Sequence, residues 1–196
     1  MVIQTDKHYY TPEEYLELEA KAEYKSEYRD GEIIPMPGVT TNHNTIAINF
    51  CKSFLVVFAD QPYHIYLSDV KLWIPRYRLY TYPDVMIIQG KPIYEGKGKT
   101  NITNPLVIVE VLSNSTENYD RTNKFKFYRS IPDFQEYILI DQYSFLVEQF
   151  IKQADNRWIF QEYEGENAVL KLHSIDVEIP LQEIYRRVDF EVTEEE

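Results

Sequence analysis

The run Val107-Ile108-Val109-Glu110-Val111-Leu112 constrains this chain most. Apolar, mostly β-branched residues at both alternating positions suit a strand covered on both faces, which belongs in a layered α/β domain. One acid, Glu110, interrupts the run. An unpaired carboxylate in such surroundings costs on the order of several kcal/mol. A second apolar run, Val85-Met86-Ile87-Ile88, is headed by Pro83-Asp84. Downstream, residues 118–130 read as a helix, started by the capping cluster 113–116 and stopped by Ile131-Pro132. That helix carries Lys124. Two acids in oily strands with a lysine close behind call for a shared charged partner, and a divalent cation is the candidate. Plainer alternatives stand beside this: a turn aspartate at Asp84, a buried salt bridge at Glu110, and a surface helix with an Asp120–Lys124 pair.

The remaining chain supplies the layers. Thr11-Pro12-Glu13-Glu14 starts a helix over 12–22. Asp30-Gly31 turns a hairpin between Glu27-Tyr28 and Ile33-Ile34. Ile46, Phe50, Phe54 and Val57-Phe58 recur at helical spacing in a helix over 40–59. Strands are expected at 63–74 and 79–88, a loop at 90–104, and a parallel crossover from 107–112 through the helix to 134–141. Further strands at 145–151, 158–163 and 169–172 read as an antiparallel meander, followed by a short helix within 180–188. The expected fold is a single α/β domain over residues 1–196, with flexible ends at 1–10 and 190–196.

Composition excludes some classes. No stretch nears the ~20 apolar residues that a membrane helix needs, and no leader-like segment opens the chain. Cys51 is the lone cysteine, so an internal disulfide is excluded and a reducing, cytoplasmic setting fits. The net charge of -12 counts against nucleic-acid binding unless basic residues gather on one face. Lys91, Lys97 and Lys99 share a loop, and Arg121, Lys124, Lys126 and Arg129 share the 118–130 helix.

Pro83-Asp84 followed by Glu110-Val111-Leu112 resembles the PD-(D/E)xK nuclease superfamily, with Leu112 where a lysine normally stands. One branch, the Uma-two family of restriction-endonuclease-like proteins, carries that lysine on the following helix. The chain resembles it through Asp30-Gly31-Glu32, His43, Pro83-Asp84-Val85, Val109-Glu110-Val111-Leu112-Ser113-Asn114-Ser115-Thr116, the Asp120/Lys124/Tyr128 series and Glu136-Tyr137-Ile138-Leu139-Ile140-Asp141. It departs at Asn114, where proline is usual, and at Ile138, where tryptophan is usual. The resemblance implies a restriction-endonuclease-like mixed central sheet flanked by helices, and Mg²⁺-dependent cleavage of DNA with Mn²⁺ as a substitute. On this reading Asp84, Glu110 and the main-chain carbonyl of Val111 hold the metal, and Lys124 positions the water. Asp120, Lys124 and Tyr128, four apart, share a helix face. Glu27 is either a third carboxylate or a solvated strand-end residue. His43, at a helix start that suits an anion, is either a site-lining residue or a surface histidine. A two-fold homodimer through the tyrosine-rich later strands is compatible with two-strand cutting. Two rival functions stay open: a non-cleaving binding or regulatory module, which the acidic balance favours, and a hydrolase of small phosphoesters.

Overall fold

A computed structural model describes residues 8–58, 61–96 and 98–191, without the side chains of 57 and 58. Four expectations lie outside the described residues: the Val57-Phe58 end of the apolar stripe, Ala59 as helix end, Lys97 in the basic loop, and the extreme termini.

The order is α1 (Pro12–Glu19), β1 (Ser26–Arg29), β2 (Glu32–Pro35), α2 (Thr41–Phe58), β3 (Tyr63–Leu67), β4 (Lys71–Ile74), β5 (Leu79–Thr81), β6 (Val85–Gln89), β7 (Asn101–Ile102) and β8 (Val107–Leu112). A helical segment follows, made of α3 (Glu117–Tyr119), a π-helical turn (Asp120–Lys124) and α4 (Phe125–Tyr128). Then come β9 (Glu136–Asp141), β10 (Leu146–Lys152), β11 (Trp158–Glu164), β12 (Val169–Leu172), β13 (Val177–Pro180) and α5 (Leu181–Ile184).

Among the described residues the strands form three sheets. The central layer has six strands in the order β11-β10-β9-β8-β6-β3. Its β8–β9 pair is parallel, as the helical crossover between them requires, and its other pairs are antiparallel. Alternation along β8 and β9 explains why both faces are covered. Val107, Val109, Val111, Ile138 and Ile140 pack with Ile46, Phe50 and Phe54 of α2 and with the β12–β13 hairpin. Ile108, Leu112, Tyr137 and Leu139 pack with Phe125, Phe127 and Tyr128. Each such side chain contributes roughly 1.5–3 kcal/mol on burial.

The second layer, β2-β1-β5-β4-β7, lies over the face that carries the helical segment. Helix α1 covers its far side with a stack of Tyr15, Tyr28 and Tyr80. Thr11 and Glu14 close the expected capping box. The helix stops at Glu19, short of 22, and the Glu19 carboxylate instead accepts from the Ser26 amide at 3.1 Å and its hydroxyl at 2.6 Å. At the β1–β2 turn Asp30 and Gly31 both have positive φ, 42° and 96°, as a two-residue hairpin of this twist demands. Within the end expected to be flexible, Tyr10 N–H donates to the Gly31 carbonyl at 3.1 Å.

Two expected strands are each divided between the layers. The 63–74 run breaks at 68–70, placing β3 in the central sheet and β4 in the second. The 79–88 run breaks at Tyr82-Pro83-Asp84 in the same way, because Pro83 offers no N–H to a ladder. The 90–104 segment is not wholly loop, since β7 pairs in parallel with β4.

Candidate active site

The site forms where the chain crosses from one layer to the other. The β6–β8 ladder ends at Val85 opposite Val109. Beyond it, Asp84 takes over the pairing that β6 can no longer provide. Its N–H donates to Glu110 Oε2 at 3.3 Å, and its Oδ2 accepts the Val111 N–H at 2.8 Å. The N–H and C=O of one strand residue project to the same edge, so the Val111 carbonyl faces the Asp84 side. Leu112, one residue on, faces the other edge, where its carbonyl accepts from Gln142 Nε2 at 2.8 Å.

His43 lies in the first turn of α2, where its N–H donates to the capping Thr40 hydroxyl at 3.1 Å. Its Nε2 is 3.0 Å from Asp84 Oδ2, so it is a buried partner of the acid and not a surface histidine. Among the described residues nothing hydrogen-bonds Asp84 Oδ1, which leaves that oxygen for a ligand.

The helical segment supplies the cation. Lys124 Nζ is 3.1 Å from Glu110 Oε1 and 3.0 Å from Asp120 Oδ1. Tyr128 donates to Glu110 Oε1 at 2.6 Å, and Tyr137 of β9 donates to the Asp120 carbonyl at 3.1 Å. Glu110 and Asp120 are 2% exposed and Lys124 is 8% exposed, so this is a buried ion cluster and not a solvated helix face. The geometry takes two of the four basic residues out of the expected basic face of this helix, leaving Lys126 and Arg129 exposed. Lys124 points inward, and Arg121 is clamped by Glu148 at 2.9 Å and Glu117 at 2.6 Å.

The two acids titrate apart. Burial pushes the Glu110 carboxyl up to about 8; Lys124 pulls against this, while Asp84 and Asp120 add to it. Burial acts on Asp84 in the same sense, but the hydrogen bond and charge of His43, then Lys124 and the Val111 amide, bring it below the ordinary carboxylate range. Burial opposes the Lys124 charge, yet Glu110, Asp120 and Glu27 hold the ammonium well above its usual value. At neutral pH one acid is ionised, the other keeps its proton, and the lysine stays charged.

Asp84, Glu110, Val111, His43, Asp120 and Lys124 all line one cavity of about 140 Å³. Tyr128 reaches it only through Glu110. Glu27 does not join them: its carboxylate accepts from the Thr81 hydroxyl and lines an adjoining cavity of about 270 Å³ that shares Lys124. Tyr82 and Gln142 also line the first cavity, and nothing in the sequence singled them out. A wider groove of about 860 Å³ opens at the other end of the central sheet, but Asp133 is the one acid on its walls. The paired carboxylates, not the volume, mark the chemistry. Among the described residues no three carboxylate, imidazole or thiol groups form a ready cage for a metal. Mg²⁺ suits so open a donor set, because it takes one or two carboxylates and fills its octahedron with water and substrate phosphate.

A family model described as "Putative restriction endonuclease", Uma2, matches residues 12–182. The chain belongs to the Uma2 family. Two relatives come from Synechocystis sp. (strain ATCC 27184 / PCC 6803 / Kazusa). The uncharacterized protein sll1609 is 43% identical over 171 residues, covering 87% of this chain and 96% of its own. The uncharacterized protein slr1290 is 35% identical over 180 residues, covering 92% and 93%. A crystal structure of a "putative nuclease belonging to DUF820" from Anabaena variabilis superposes with a TM-score of 0.72 at 19% identity, covering 90% of this chain and 97% of that one. At that identity the likeness shows the fold alone, and the fold is the mixed α/β nuclease type that the Uma2 resemblance implied. Among the described residues no helix is long and apolar enough to cross a membrane.

Proposed function

We propose that this Uma2 protein is a metal-dependent endonuclease that hydrolyses DNA phosphodiester bonds. The observation that carries the reading is the convergence of Asp84, Glu110 and Lys124 on one cavity, each fixed by a separate partner. Asp84, Glu110 and the Val111 carbonyl would hold Mg²⁺, with Mn²⁺ as a substitute. The cation supplies Lewis-acid stabilisation of charge at phosphorus and acidifies a neighbouring water. His43 and the Val111 amide orient Asp84, and Tyr128 orients Glu110. Lys124, held in its charged form, donates hydrogen bonds to the attacking water and to phosphoryl oxygens, and takes no proton itself. A cytoplasmic setting and a two-fold homodimer belong to the same reading.

The net charge of -12 favours a second reading, a non-cleaving module that keeps the fold. Calorimetric titration with Mg²⁺ and Mn²⁺, run beside plasmid cleavage, separates the two. The nuclease binds metal and cuts, and Glu110→Gln loses both. Absence of metal binding in the wild type overturns the nuclease reading. Turnover of a chromogenic diester without plasmid cleavage would instead mark a small-phosphoester hydrolase.

A further inference from the structure

A polynucleotide must be held on both sides of the bond that is cut, and of the four basic residues on the helix expected to do this only Lys126 and Arg129 stay exposed. Further cations lie on β1 and at the residue before it. Residues Lys25, Glu27 and Arg29 alternate with Ser26 and Tyr28, so they share the face of β1 turned toward the central sheet. The register settles that face: Tyr28 pairs with Tyr80 in the tyrosine stack under α1, while Glu27 meets Thr81. At about 3.3 Å per residue, Lys25 and Arg29 stand roughly 13 Å apart, with Glu27 between them.

Each end of this row abuts the site. Lys25 Nζ lies 5.7 Å from the centre of the Tyr82 ring, and Lys71 Nζ lies 5.3 Å from the same ring, which lines the Asp84–Glu110 cavity. Arg29 lies 6.0 Å over the Tyr119 ring, and both line the adjoining cavity that shares Lys124 with the site. Arg29 also lines a third hollow of about 540 Å³, with Arg76, Arg78 and Tyr77 beside the acids Asp30 and Glu32. Arg78 is paired with Asp30 at 3.2 Å and Arg29 loosely with Glu32 at 3.5 Å. Among the described residues Arg76 has no carboxylate partner and is exposed. The Lys25–Asp69 pair is solvent-exposed, and such pairs are weak enough for a phosphate to displace.

We propose that β1 and the 75–78 turn form a phosphate track, with Lys25 on one side of the Asp84–Glu110 centre and Arg29 and Arg76 on the other, which holds a polynucleotide across it. The placement of the cleaved bond rests on the nuclease reading above; the binding itself does not.

The test uses the full chain and fluorescence anisotropy of labelled duplex DNA, single-stranded DNA and single-stranded RNA, without divalent metal, across a series of salt concentrations. Arg76→Glu and the pair Lys25→Gln/Arg76→Gln are compared with wild type, and thermal unfolding confirms the fold. The expected result is weaker binding, with the slope of log K against log salt reduced by about 0.9 per lost contact on duplex and about 0.7 on single strands. Arg76→Lys should bind nearly as wild type does. In the presence of Mg²⁺ the same variants should lose plasmid cleavage. Wild type that binds none of the three probes, or variants that bind with unchanged affinity and slope, overturn the track. Binding that follows the substitutions without any cleavage by wild type leaves the track standing and removes the nuclease reading.

Discussion

Replacing Lys124 by methionine keeps most of the side chain's bulk and removes its charge. Asp120 would then sit 2% exposed without its cation, beside Glu110. Removing one partner of a buried ion pair costs about 3–5 kcal/mol, against a total stability of roughly 5–15 kcal/mol for a domain. For a chain of this size 1 kcal/mol moves Tm by about 2–4 °C, so the melting point should fall by roughly 6–20 °C. Urea and thermal unfolding at pH 7, free of divalent metal, measure the loss. The companion variant is Lys124→Met/Asp120→Asn. At neutral pH Glu110 keeps its proton, so no unmatched charge remains near position 124, and most of the stability should return. Loss of Lys124 raises the Glu110 carboxyl further, so the double variant should weaken again only at more alkaline pH than wild type, and adding Glu110→Gln should abolish that second loss. A single substitution costing under about 1 kcal/mol, or a double no better than the single, would show that Lys124 is not the charge balancing these acids.

Four further outcomes are expected. The Glu110 carboxyl titrates near 8 in the folded chain against an ordinary 4.5, so its stabilising contribution is complete below about pH 4.5 and is lost as pH rises through 8; metal-free unfolding across pH should show this decline in wild type and a flatter profile in Glu110→Gln. Leu112 is buried two residues along the same face of β8 as Glu110, so Leu112→Lys in a Lys124→Ala background should restore part of plasmid cleavage, and no recovery would deny that the two positions serve one point in space. Burial pushes the Cys51 thiol up to about 12, so a thiol reagent at pH 8 should label it only through opening of the fold, at a rate that rises in the Lys124→Met variant. Gly31 has φ 96° and an added Cβ would come within 2.2 Å of the Tyr9 ring, so Gly31→Ala should cost about 1 kcal/mol or more by urea unfolding, and adding Tyr9→Ala should relieve only the crowding and not the backbone strain.

The central strand, its acid and the crossover helix were legible because each is encoded locally: a two-sided apolar run, a capping cluster and a stop at Ile131-Pro132. The Asp120, Lys124 and Tyr128 series was legible as spacing, although its first five residues wind as a π turn, which sequence periodicity does not register. The second sheet was not legible. Strands β4, β5 and β7 are separated from central-sheet strands by only three or four residues of chain, and only pairing with distant partners, β1 with β5 and β4 with β7, assigns them to another layer. The same long-range pairing set Glu27 against Thr81, which the sequence could not foresee. His43 was underestimated because its partner, Asp84, lies on the far side of three strands in sequence, and one histidine at a helix start carries no sign of what it faces.

The break at Tyr82-Pro83-Asp84 ties affinity to completeness. The Asp84 carboxylate is oriented only when its own strand is seated in one layer, the preceding residues are seated in the other, and α2 has docked to present an imidazole. A partly assembled chain, with the six-stranded layer formed and its cover still loose, would lack a chelating pair. On the proposed reading, uptake of a divalent ion during refolding would report the last act of assembly and not the first, and no cutting-competent species would be expected among the intermediates.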